Sequence, residues 1–495
     1  MRFGFVGASY TARSTAIAAE ECINLYAQTV ESVGAIVPVK AYGGETALPL
    51  KAYLGTPGKT VFCALGAVPR ATLWTGTTLY AVTGTNFVSV TAAGVFTVLG
   101  TVANDGNPAS LAFNSIQVLI VSGGQAYCWV IATSTLVNVT AMLHSVPLQC
   151  DYADSFFVVS FVNSNIFQIS QVLDGTTWPG QLVNEVSVFA ENIVSLIFNQ
   201  RELWVFGSAR TQPYQDTGSA EIYDVIPGAL IETGSAATFS PARLDNSIFW
   251  IGADARGSRM AWRANGYTPT RISTYAVETD LATYTAAQIA GIVTYAYQDA
   301  GHEFWVVYIP GAQWAWVYDN VESLWHKRAE WNPVTAQWQP DFGWNHVYAF
   351  GGLHIVGDWN SGNLYQLNQN FLTSNGNNIR RVRRSPTIGD EMQYMFHSDL
   401  TVDFDSGQSP QPPLLDGSGN PRSAIVLLRW SDDRGKTWSN LHPMPLGFAG
   451  EFTTRVIWRR LGRSRYRVYE MSIIDPVPVA IVDAYLNTSA ISAAK

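Results

Sequence analysis

The chain has 495 residues, room for roughly two to four domains and a large buried core. It carries 30 Lys and Arg against 38 Asp and Glu, a net charge of −8, which excludes a chain that binds nucleic acid electrostatically as a whole. Charged residues make up only 14%, where about 25% is ordinary for a soluble protein, so other subunits are expected to cover much of the surface.

At the N-terminus, "MRFGFVGASYTARS" holds a short apolar run that Ser9 and Tyr10 interrupt, too short for a signal-peptide core. No stretch approaches the ~20 apolar residues of a membrane helix. The expectation is a soluble chain made in a cytoplasm. Cys22, Cys63, Cys128 and Cys150 form no C-x-x-C pair, which argues against a zinc site and a disulfide framework. "YLGTPGKT" looks like part of a phosphate-binding loop, but Tyr53 stands where the first glycine is needed and a strand-like "VFCALG" follows. Gly55 to Gly58 therefore reads as a turn.

From residue 59 to 369 one theme recurs: a polar turn, a short β-run, Gly or Asn, then an aromatic-rich run. Taking Leu79, Val118, Phe157, Leu203, Phe249, Phe304 and Val347 as anchors, the unit repeats at blade-like intervals of roughly 40 to 50 residues. Aromatic and β-branched runs between frequent turns predict an all-β fold. Residues 59–369 are expected to form a six- or seven-bladed β-propeller, with a pair of β-sandwiches as the alternative. The polar stretch 207–241 is expected to be a long blade loop or an inserted subdomain. Residues 370–495 change in texture and predict a β-sandwich-like domain, with a Pro/Gly/Ser-rich loop at 405–423. Arg463, Arg465 and Arg467 alternate with Ser464, Tyr466 and Val468, predicting a strand with one basic face, either solvated or docked on an acidic neighbour. Residues 371–495 hold 15 Lys and Arg against 12 Asp and Glu; residues 1–370 hold 15 against 26, a net of −11.

Signals for catalysis are weak. His302–Glu303 begins like a zinc-hydrolase motif, but Val306 stands in the second histidine's place, and the seven histidines show no ligand spacing. No G-x-S-x-G elbow is present. The expectation is no enzyme, no catalytic residues, no metal and no cofactor.

"RWSDDRGKTWSN" contains Ser431, Asp433, Gly435, Thr437 and Trp438 in the spacing S-x-D-x-G-x-T-W, which resembles the Asp-box of sialidases and related propellers. The carboxylate can accept from backbone N–H groups ahead of it and the glycine can take φ > 0, so the box predicts a structural hairpin tip with Trp438 packed beneath. A sialidase-like glycosidase resembles a propeller with several boxes, an arginine cluster and a Tyr–Glu pair. Here one box lies outside the repeats, and no carboxylate pair can be placed across a pocket. A glycan-binding propeller adhesin stays as the other alternative.

"GASYTARSTAIAAEECINLYAQTVES" resembles the opening of the packaged-DNA stabilisation, or tail nozzle, proteins of short-tailed bacteriophages. The elements are Ser9, Tyr10, Thr11, Arg13, Ser14 and Ile23, Asn24, Leu25, Tyr26, with the turn Leu54 to Gly58 and the block "RWSDDRGKTWS … RRLGRSRYRVYEMSI … PVPVAIVDAYL". Ala27–Gln28 departs from the Pro–Glu expected there. The resemblance implies a virion tail protein made in the host cytoplasm that forms a ring, a hexamer, under the portal and adaptor. It would extend the DNA channel without sequence-specific binding, retain packaged DNA, and support tail fibres or spikes and a plug. Residues 1–58 are too short to fold alone and are expected to pack on the C-terminal domain, with Tyr10, Arg13, Asn24, Tyr26, Arg463, Arg465 and Arg467 as assembly residues.

Overall fold

A computed structural model describes residues 4–30, 36–41, 44–49, 51–144, 146–187, 191–218, 222–253, 257–340, 343, 345–390, 392–408 and 413–490. Backbone contacts divide the chain into two units: Val61–Ala312 with Phe342–Leu367, and Met1–Thr60 with Gln313–Asp341 and Asn368–Lys495.

The first unit is a β-propeller. Five four-stranded antiparallel sheets follow one another, beginning with the strands Pro69–Trp74, Ser110–Phe113, Pro147–Ala153, Ser195–Asn199 and Ala242–Leu244. The hairpin Val293–Asp299/His302–Tyr308 and the meander Asn345–Ala349, Leu353–Gly357, Asn363–Asn368 supply the sixth and seventh repeats. The first strands lie side by side around a ring, and Asn345–Ala349 packs back on Pro69–Trp74 to close it. Polar side chains stitch these inner edges, where a strand would otherwise leave backbone groups unpaired. Gln149 accepts from Leu196 N and from Ser195 Oγ, both at 3.0 Å, Ser110 donates to the Cys150 carbonyl at 2.8 Å, and Thr72 donates to Asn345 at 2.9 Å. Arg243 donates to the Phe198 carbonyl and pairs with Asp151.

The second strands explain why the repeat shows in the sequence. Leu79–Thr83 and Gln117–Ser122 are buried along their whole length, because each blade face is covered by a neighbouring blade. Such strands read as continuous apolar runs and not as alternation. Six of the seven anchors, Leu79 to Phe304, lie on these second strands, and Val347 lies on an innermost one. Two-residue turns with both φ positive join first to second strands at Asp154–Ser155, Gln200–Arg201, Asp245–Asn246 and Ala300–Gly301, matching the twist of the flanking strands. Aromatic edges lock adjacent blades: Phe87 on Trp129 at 5.9 Å and Phe206 on Trp250 at 5.6 Å.

One sequence expectation changes here. Within 207–241, Thr211–Asp216 and Tyr223–Val225 are the outer strands of the fourth sheet and not part of a loop or an inserted subdomain. Pro213 and the polar residues around it hid the strand pattern. Residues 313–341 cluster by backbone contacts with the second unit. The strand Leu324–Arg328 runs parallel to Ala19–Ile23, which gives it a partner there.

The second unit is a β-sandwich. One sheet runs Ala315–Asp319, Leu324–Arg328, Ala19–Ile23, Arg381–Arg384, Tyr466–Ile473, Ile425–Ser431, His442–Pro445. The other runs Leu25–Thr29, Lys51–Gly55, Ala480–Ala490, Met395–Phe404, Val456–Arg459. The core between them includes Phe5, Leu25, Tyr53, Leu400, Val426, Trp458, Tyr469, Met471, Ile481 and Leu486. The N-terminal segment thus contributes to both sheets, Ala19–Ile23 with Tyr10–Thr11 to the first and Leu25–Thr29 with Lys51–Gly55 to the second.

Candidate assembly interface

Asn24 is the pivot between Ala19–Ile23 of one sheet and Leu25–Thr29 of the other. Its φ of 57° is left-handed, a conformation Asn tolerates better than most residues. Its side chain donates to the Ala329 carbonyl at 2.7 Å and the Arg380 carbonyl at 2.8 Å, and accepts from Ala329 N at 3.0 Å. Tyr26 is 3% exposed, and its ring lies 6.4 Å from that of His326. Asn24 and Tyr26 were expected to be assembly residues; their burial assigns them to the inside of this unit. Tyr10 sits half-buried opposite Glu20, and Arg13 is exposed.

Around this pivot lies an ionic network. Glu21 pairs with Lys327 at 3.0 Å and Arg384 at 3.1 Å; Glu470 pairs with Arg384 at 2.7 Å and Arg429 at 2.5 Å; Glu20 pairs with Arg383 at 2.9 Å. Burial pushes the Glu21 carboxyl up, but Lys327, Arg384 and Arg429 outweigh that and hold it below the usual range. Arg383 is fully buried and also donates to the Phe5 carbonyl at 2.6 Å and the Ala8 carbonyl at 3.1 Å. The sequence showed "RRVRRS" only as part of a basic C-terminal region. Arg383 and Arg384 are internal clamps on the N-terminal segment, and no one-dimensional pattern marks the acids that meet them.

The Asp-box is a hairpin staple. Asp433 Oδ1 accepts from Ser431 Oγ at 2.7 Å, Lys436 N at 2.9 Å and Thr437 N at 2.8 Å, and Oδ2 accepts from Thr437 Oγ1 at 2.7 Å. Gly435, at φ 93°, donates its N–H to Ser431 Oγ at 2.7 Å. These bonds, led by those from Ser431 and Thr437, hold the Asp433 carboxyl well below the usual range. Trp438 lies against the guanidinium groups of Arg384 and Arg429, at 4.8 and 4.7 Å, so the box is tied to the ionic network. Replacing Asp433 by Ala is expected to lower the melting temperature of this unit, and Asn should retain part of it. An unchanged melting curve for the alanine variant would remove the staple from the account.

Arg463, Arg465 and Arg467 do not share one basic face. The chain changes sheets between them: Arg463–Ser464 pairs with Met395–Phe396, and Tyr466–Ile473 pairs in the other sheet. Arg463 and Arg465 are exposed, and both stack on Tyr394, at 5.1 and 4.6 Å. Arg467 is 2% exposed and forks onto Asp432 at 2.6 and 2.8 Å. Exposed Arg459 and Arg460 join Arg463 and Arg465 on this turn, and sequence reasoning missed them because it looked for strand alternation.

His397 supports the turn from beneath. It is 1% exposed, with its ring nitrogens 2.9 Å from Ser464 Oγ and 2.9 Å from the Tyr469 hydroxyl. Burial, then the nearby Arg467 charge, pushes its pKa down to about 4, while Asp432 opposes this. In the propeller, burial and the neighbouring His354 push His346 down to about 3, and the two rings touch at 3.1 Å. Both histidines fold neutral, so the unfolded chain takes up protons first as pH falls through about 6.5. Stability is therefore full above that pH and is lost on acidification, by up to about 1.4 kcal/mol per pH unit per histidine, until the folded pKa is reached. Thermal melts between pH 7 and about 5 should show this slope, and His397→Gln should flatten its share; equal slopes would contradict it.

Among the described residues no three His, Cys, Asp or Glu side chains converge as metal ligands, and no helix is long and apolar enough to cross a membrane. No curated protein matches the chain. Among solved structures it is similar to the N-terminal domain of Nup159, with 11% identity over 62% of this chain and 90% of that one, TM-score 0.39. It is similar to the extracellular domain of the one-component system BT4673 from B. thetaiotaomicron, with 8% identity over 82% and 47%, TM-score 0.43. It is also similar to the Myceliophteria thermophila Cps50 (Swd1) β-propeller domain, with 8% identity over 62% and 99%, TM-score 0.40. At these scores none carries an argument about what the chain does. Two family models match: "Bacteriophage P22 Gp10, beta-propeller" over residues 51–372 and "Bacteriophage P22 Gp10, beta-sandwich" over residues 380–489. With a propeller and a sandwich matched over nearly its whole length, this chain belongs to the bacteriophage P22 Gp10 family and is a structural protein of a phage tail.

Proposed function

We propose that the chain is the tail nozzle: a ring, six copies round, below the portal and adaptor. It extends the DNA channel, retains packaged DNA, and carries fibres or spikes and a plug. The observation that carries this reading is the match of both Gp10 domains to one chain. The charge distribution supports it. Residues 1–370 have a net of −11, and six copies would present an acidic or neutral wall along which DNA slides without binding. The sandwich, with the N-terminal segment clamped into it, is the portal-proximal end. Its exposed arginines Arg463 and Arg465 then face an acidic partner, away from the lumen.

Negative-stain microscopy of the purified protein, alone and with a portal–adaptor complex, tests this. A closed ring coaxial with the portal is expected; a particle that never joins the complex would defeat the proposal. Phage carrying Arg465→Glu should yield fewer tailed, DNA-filled particles while the free subunit stays folded.

A further inference from the structure

The turn after Val456–Arg459 lies along the strand Met395–Phe404, at the edge of its sheet. Arg459 is opposite Asp399, Arg460 N donates to the Ser398 carbonyl at 2.8 Å, and Arg463 is opposite Phe396. Arg459, Arg460, Arg463 and Arg465 are all exposed along this edge. Among the described residues none of the four is in an ion pair. Two exposed aromatics, Tyr394 and Phe396, at 42% and 47%, stand among them. Arginine with Tyr and Phe, and no lysine, is the composition of a protein interface core. Guanidinium forks favour planar carboxylates, held bidentately.

The same chain offers the complement. Glu185, Asp216 and Asp224 lie on outer strands of the third and fourth propeller sheets, and Asn184 donates to the Tyr223 carbonyl at 2.7 Å to join those strands. Among the described residues each carboxylate accepts from a neutral group: Asn165 Nδ2 at 3.0 Å, Gly218 N at 2.8 Å and Val225 N at 2.7 Å. None has a cationic partner among the described residues.

We propose that the arginine edge of one copy docks on this acidic rim of the next copy, so that a head-to-tail contact closes the ring. The inference rests on the ring assembly proposed above and names the surfaces that build it. Two different patches on one chain, each unpaired and of opposite sign, make a heterologous contact, the kind that generates rings when the rotation closes. Complementary charge also sets the register of the contact and makes it sensitive to salt.

A charge-swap experiment tests it. One variant carries Arg459→Glu, Arg463→Glu and Arg465→Glu; the other carries Glu185→Lys, Asp216→Lys and Asp224→Lys. Circular dichroism establishes that both fold, and sedimentation velocity at low and high salt reads assembly. Each variant alone should need at least about tenfold more protein than the natural chain to form rings. An equimolar mixture should restore them, because alternating copies again face opposite charge. Rings from the arginine variant alone would overturn the proposal. So would loss of rings in that variant with none in the acidic-rim variant, which would send the arginine edge to another partner. If the natural chain forms no ring, alone or on the portal–adaptor complex, the ring reading itself falls.

Discussion

Glu470→Gln is expected to destabilise the sandwich unit by about 3–5 kcal/mol, the cost of breaking a buried pair and leaving its partners uncompensated. Glu470 is 3% exposed and lies between Arg384 and Arg429. Removing its charge leaves Arg429 without its carboxylate and Arg384 with Glu21 alone. Arg384 also stands in the strand that pairs with Ala19–Ile23, so hydrogen exchange in that strand should quicken first. Denaturant unfolding followed by exchange reads both effects. The chain has two units, so the comparison belongs to the sandwich transition and not to a single global midpoint. Adding Arg429→Met should recover part of the loss, since the second change removes the stranded cation. A Glu470→Gln variant within about 0.5 kcal/mol of the natural chain would mean that the network contributes nothing beyond surface ion pairs.

Trp250→Ala should cost the propeller a similar amount, about 3–5 kcal/mol. Trp250 is fully buried, packs its edge against Phe206 of the preceding blade, and donates its indole N–H to the Gly234 carbonyl at 3.1 Å. The packing is close enough that a Cβ on Gly252 would meet the Gly234 oxygen at 2.5 Å and Trp250 Nε1 at 2.9 Å. Trp250→Phe should recover most of the packing but leave the carbonyl without its donor. Calorimetry should show the propeller transition moving while the sandwich transition stays. If the alanine variant melts with the natural chain, the blade contact at Phe206 is not a stability determinant.

How much of this was legible in one dimension follows from where each signal arises. A blade's second strand is covered on both faces by its neighbours, so Leu79, Val118, Phe157, Leu203, Phe249 and Phe304 had to be apolar, and the spacing of such runs betrays the repeat. The Asp-box is also local: Ser431, Asp433, Gly435 and Thr437 satisfy one another within a single turn, so spacing alone encodes it. Family resemblance at the two ends added the phage tail, and the matches to both Gp10 domains bear that out.

Only tertiary structure decided which basic residues are internal and which are available. Arg467 and Arg463 are four residues apart and look alike in the sequence; one is buried on Asp432, and the other lies exposed on Tyr394. Strand alternation predicts a common face only while one strand continues, and here the chain leaves one sheet for the other between them. Asn24 does the same at the N-terminus, where a left-handed φ turns what reads as one run into strands of two sheets. The partners of that turn, Ala329 and Arg380, are more than 300 residues away in the chain. The physical reason is common to these cases. Periodicity reports a residue's neighbours along one element, whereas the pairing of a buried charge or amide is set by whichever distant strand the sheet brings beside it.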